Sequence, residues 1–132
     1  MSGFVPYLGY RDARAAIAFL ERAFGFETLA AYDGDDGKVM HAEMRCGDAV
    51  LMLGTGKDER RKDGDLPPAT RGIYLTVDDL DPHFERAKAA GATVVWEPHD
   101  TEFGTMRYRV LDPEGYEWSF GTYAPGTPAP PG

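Results

Sequence analysis

The chain holds a single cysteine, Cys46, among 132 residues. An internal disulfide is excluded, and a reducing compartment, the cytoplasm, is the expected setting. Basic residues are scarce, 14 Lys and Arg against 22 Asp and Glu, for a formal charge of −8. Such a balance repels phosphate backbones, so nucleic acid is not an expected partner. It weakly attracts a cationic ligand, although its ordinary use is solubility. No apolar run approaches the ~18 residues of a membrane helix, so no membrane partner is expected either. The N-terminus lacks a basic region followed by an apolar stretch, and no secretion signal is expected.

What is present is a repeat. Tyr7-Leu8, then Asp12, then a helical run ending at Gly25 returns as Tyr74-Leu75, Asp79 and a run ending at Gly91. The repeat is about half the chain, too long for a solenoid unit and short for a lone domain. Two such units pair most naturally around a shared cavity, which makes a ligand site the leading idea. One domain over 1–123 is expected, with units 4–54 and 70–123, a charged linker 55–69 and a Pro/Gly-rich disordered tail 124–132.

Local chemistry supports the division. Asp12 is a good N-cap, and Ala13, Ala16, Ile17, Leu20, Ala23 and Phe24 form the stripe of a half-buried helix closed by Gly25. Phe26 to Tyr32 and Val39 to Cys46 read as strands around an Asp33–Gly37 turn, followed by Ala49 to Leu53. In the second unit Asp81-Pro82 reads as cap and first helical residue, with Phe84, Ala87 and Lys88 following before Gly91. Thr93 to Trp96, Thr105 to Leu111 and Tyr116 to Thr122 read as strands. Each unit is then βαβββ, an α+β fold with a curved mixed sheet around a trough and the helices on the outer face.

These segments resemble the glyoxalase / bleomycin-resistance / dioxygenase superfamily (vicinal oxygen chelate fold). The most specific is Asp112-Pro-Glu-Gly-Tyr-Glu-Trp-Ser-Phe120, supported by Ala16-Ile-Ala-Phe-Leu20 with Phe24-Gly-Phe26, by His41-Ala-Glu-Met44 with Gly47-Asp48, and by Ile73 to Leu80. The resemblance covers residues 4–123. In metal-dependent members it implies ion ligands at positions that fall here on Val5, Gly72 and Ser119, with Glu43 between. Three of the four are not strong ligands, and catalytic sites need about three. No metal and no cofactor are therefore expected.

Strand alternation, with the resemblance, puts Tyr7, His41, Glu43, Tyr74, Arg107, Arg109, Glu117 and Ser119 on the trough side. Trp96 and Phe103 are added as stacking candidates, although they serve equally as core or interface. The expected function is metal-free binding of an organic ligand, cationic or aromatic, as the family's antibiotic-resistance members do. The alternative is a lyase or isomerase with a displaced metal, or acid-base chemistry by His41 and Glu43. The competing role for Glu43 is a salt bridge to Arg107 or Arg109. His83 reads as an exposed helix flank and His99 as a loop residue, neither with a role. The resemblance also implies a homodimer, the commonest symmetric assembly.

Overall fold

The computed structural model describes residues 4–56, 72–102 and 104–125. The chain divides into two compact units, Met1–Asp65 and Leu66–Gly132. Each is α+β, one helix and one four-stranded mixed sheet. Most of the predicted linker and tail, with Phe103, lies outside the described residues.

The first unit runs β1 (Tyr7–Tyr10), α1 (Ala13–Phe24), β2 (Glu27–Asp33), β3 (Val39–Cys46) and β4 (Ala49–Thr55). Its strand order is β1-β4-β3-β2, with β1 and β4 parallel and the other pairs antiparallel. Asp12 caps α1 by accepting from the Ala15 amide at 3.0 Å, and Gly25 ends it at φ 73°. Phe19, Leu20, Ala23 and Phe24 are buried on one stripe of the helix, and Leu8, Tyr10, Ala42, Met44, Leu51 and Leu53 are buried on the strands. Apart from the buried Gly54, these strand positions alternate with exposed or half-buried neighbours, so one sheet face meets the helix and the other does not.

The second unit runs β5 (Gly72–Thr76), α2 (Leu80–Ala89), β6 (Thr93–Asp100), β7 (Met106–Leu111) and β8 (Glu117–Gly121). Its order is β5-β8-β7-β6, again with the first pair parallel. The core side holds Tyr108, Val110, Trp118 and Phe120, all fully buried, against Leu80, Phe84 and Ala87. The Asp112-Pro-Glu-Gly turn is held from within. The buried Asp112 carboxylate accepts from the amides of Glu114 and Tyr116 at 3.0 and 3.1 Å and from the Trp118 indole at 3.1 Å. The most specific family segment is thus a structural clasp.

Three local expectations are corrected. Asp79, two residues before Asp81, takes the N-cap position of helix α2 without a side-chain cap bond, so Pro82 sits in its first turn, where a missing amide proton leaves no hydrogen bond broken. Strand β6 continues to Asp100, which includes His99, because it is the outermost strand of its sheet and tolerates Pro98. His83 is not an exposed flank: its ring lies 4.4 Å from that of Phe120, and Nδ1 is 2.5 Å from the Tyr108 hydroxyl.

Candidate functional site

The sheet face turned away from the helix carries the candidates in both units. In the first, ladder pairing aligns Tyr7, Met52, Glu43 and Ala30 in one row across the sheet. His41 pairs with Tyr32. Tyr7 and Tyr32 stack on either hand of His41, with ring centres 6.4 and 6.5 Å from it and planes within 26° and 17°. Both tyrosines are more than half exposed. His41 Nε2 is 3.0 Å from Glu43 Oε2, which joins the two catalytic candidates in one hydrogen-bonded pair. Gly54 keeps this face low, since a Cβ there would strike the Met40 carbonyl and come within 3.6 Å of the Tyr7 hydroxyl.

In the second unit the matching row is Tyr74, Ser119, Arg109 and Trp96. The next is Thr76, Gly121, Arg107 and His99. The Arg109 guanidinium carbon lies 4.0 Å from the centre of the Trp96 ring and that of Arg107 5.4 Å from it. Ser119 Oγ accepts from Arg109 Nε at 3.0 Å and from Arg107 Nη2 at 3.4 Å. Arg109 also faces Glu117 at 3.9 Å, a long contact on a mostly covered pair. The Tyr74 hydroxyl donates to the Tyr123 carbonyl at 2.6 Å. Burial raises the Tyr74 phenol above its usual range, and the nearby Arg107 charge partly offsets that. Trp96, with Val95, Glu97 and His99, lines an open concavity of about 490 Å³.

The candidates therefore divide by unit. Tyr7, His41 and Glu43 share one face, while Tyr74, Trp96, Arg107, Arg109, Glu117 and Ser119 share the other. The Glu43 carboxylate has His41 of its own sheet as partner. Tyr32 escapes the sequence reading. Bulges at Thr28/Ala30 and Tyr32/Asp33 shift the side-chain alternation along β2, so period two alone cannot assign its face. The available signal was the Asp33–Gly37 hairpin turn, which sets Tyr32 across from His41. Cys46 is unsuited to nucleophilic work, since burial pushes its thiol up.

The positions at which the superfamily holds an ion do not fit one here. Val5 and Gly72 have no donor side chain. Ser119 is committed to two guanidinium groups, whose charge opposes a cation. Glu43 alone offers a carboxylate, and a catalytic ion takes about three protein ligands. Among the described residues no group of three or more His, Cys, Asp or Glu is arranged to hold a metal.

Residues 5–120 match the Glyoxalase/Bleomycin resistance protein/Dioxygenase superfamily, and the chain belongs to it. An uncharacterized protein of Mycobacterium bovis is 37% identical over 121 residues, spanning 88% of this chain and 80% of that relative. The crystal structure of TioX from Micromonospora sp. ML1 matches with a TM-score of 0.78 at 30% identity, covering 94% of this chain and 100% of TioX. The fosfomycin resistance protein FosX from Mesorhizobium loti shares the fold, with a TM-score of 0.68 at 17% identity over 95% of each chain. No helix among the described residues is long and apolar enough to cross a membrane.

Proposed function

We propose that this chain is a metal-free binding protein that holds a small organic ligand against the helix-free faces of its sheets. The observation that carries the reading is the double substitution of function at those faces. Ion-ligand positions are vacated by Val5, Gly72 and Ser119, while exposed aromatic rings, Tyr7, Tyr32 and Trp96, stand on the same faces. Flat rings beside a glycine floor suit a planar ligand. On the first unit's face Tyr7, Tyr32 and Glu43 favour a cationic aromatic group. Phe103, outside the described residues, remains a proposed stacking residue on its aromatic character alone.

A calorimetric titration with a panel of planar aromatics, cationic, neutral and anionic, tests this reading. Saturable binding of at least one class at near-unit stoichiometry is expected. Heats of dilution alone across the panel would refute it.

A second reading has one specific observation in its favour, the 3.0 Å contact of His41 with Glu43. A carboxylate that holds an imidazole is a competent proton-transfer pair, and lyase or isomerase chemistry without an ion would run through it. Conversion of a bound ligand that is abolished by Glu43→Gln would favour it over passive capture. A cytoplasmic homodimer fits both readings: the lone cysteine suits a reducing compartment, and two-fold pairing is the commonest assembly. Sedimentation at micromolar concentration should then give a dimer, and a pure monomer would exclude it.

A further inference from the structure

The two units carry opposite chemistry at matching places. Glu43 pairs with Met52 as Arg109 pairs with Ser119, and these partners adjoin Tyr7 and Tyr74 in the two parallel ladders. The first unit therefore has His41 and Glu43 where the second has Arg107 and Arg109.

The two arginines are not equivalent. Arg109 is tied down by the Trp96 face, by Ser119 and by Glu117. Among the described residues Arg107 has the longer bond to Ser119, stands farther from the centre of the same ring and lies near the Tyr74 phenol. Its Nε–H is buried without an acceptor, and no carboxylate of its own sheet lies within salt-bridge distance among the described residues. His99, its ladder partner, turns Nδ1 to the Glu97 carbonyl. A half-buried guanidinium without a counter-charge is costly, because desolvation is repaid only when an anion completes its hydrogen bonds. Guanidinium meets carboxylate in a planar, two-bond arrangement. The exposed Trp96 indole lines the open concavity, and its ring centre lies 5.4 Å from the Arg107 guanidinium carbon.

We infer that the helix-free face of the second unit takes an aromatic carboxylate, with the acid group on Arg107 and the ring against Trp96. The inference rests on the small-molecule-binding reading and names the ligand class for one of its two faces. Glu97 lines the concavity with Trp96, and Glu117 stands 3.9 Å from Arg109.

The test is a titration of the full chain with 2-naphthoate, with naphthalene-2-carboxamide as the neutral isostere and with inorganic phosphate as an anion lacking a ring. The naphthoate should bind at least tenfold more tightly than the amide and than phosphate. Arg107→Gln should remove about tenfold of that affinity, with partial recovery in Arg107→Lys, since a point charge replaces the fork. Trp96→Phe should keep most of the affinity while abolishing the ligand-induced change in tryptophan emission, because Trp118 is fully buried. Equal affinity for naphthoate and its amide overturns the inference and leaves the small-molecule reading intact. Absence of binding by every aromatic of any charge overturns both. Phosphate binding as tight as naphthoate overturns the aromatic half. If Arg107→Gln instead changes only the sedimentation coefficient, the counter-charge is a carboxylate of a second copy and the inference fails.

Discussion

The hydroxyl of Tyr74 occupies the space that a side chain at position 121 would need. A Cβ on Gly121 would lie 2.5 Å from that oxygen and 3.1 Å from the Met106 carbonyl. At Gly54 in the other unit the obstruction is instead the Met40 carbonyl, and the Tyr7 hydroxyl lies at ordinary contact distance, 3.6 Å from such a Cβ. In the second sheet a glycine thus sets the height of a tyrosine on the face that carries the candidate site.

Gly121→Ala should therefore displace Tyr74, break its 2.6 Å bond to the Tyr123 carbonyl and cost about 1–3 kcal/mol of stability. Denaturant unfolding measures it as a lower midpoint at unchanged slope. Tyr74→Phe in the same chain should recover part of the loss, since the clash is with the hydroxyl.

Asp112→Ala should be the most damaging of the changes considered. It strands the amides of Glu114 and Tyr116 and the Trp118 indole inside the second unit. A loss of about 3 kcal/mol or more is expected, because buried donors left without acceptors cost their full desolvation. Asp112→Asn should recover only part of it, for one amide nitrogen would face a donor.

His83 gives the protein an acid-sensitive core contact. Burial, with help from Arg86, lowers its imidazole from the ordinary 6.5 to about 4. The unfolded chain then binds the extra proton first, so stability is complete above about pH 6.5 and falls as pH drops toward about 4. The loss over that window is on the order of 2 kcal/mol after allowance for partial exposure. His83→Gln should flatten this part of a plot of unfolding midpoint against pH, read by thermal melts from pH 4 to 7.

Glu43→Gln should leave stability within about 0.5 kcal/mol, because the pair with His41 is partly solvated. Its effect should fall on ligand binding: a cationic aromatic probe should bind severalfold more weakly. An unchanged affinity, measured by titration, would remove Glu43 from the site.

Much of this was legible in the residues. Asp12 and Gly25 bound α1 because cap and left-handed stop are strong local signals. The face shared by His41 and Glu43, and that shared by Arg107 and Arg109, follow from a spacing of two within regular strand. Tyr32 was not legible because bulges reset the alternation in β2, and the start of α2 was missed because Asp79 and Asp81 are both plausible caps ahead of Pro82. The inward turn of His83 depends on Tyr108 and Phe120, which are distant in sequence and reach it only through the sheet. The charge contrast between units needed the strand register, since it compares positions defined by pairing.

Mass-balanced equilibrium dialysis of aromatic probes tests the central account most directly. Probe should accumulate on the protein side to saturation and return chemically unchanged, with Arg107→Gln and Glu43→Gln each lowering the retained amount. Even distribution of every probe, or recovery of a converted product, would contradict capture by these two faces.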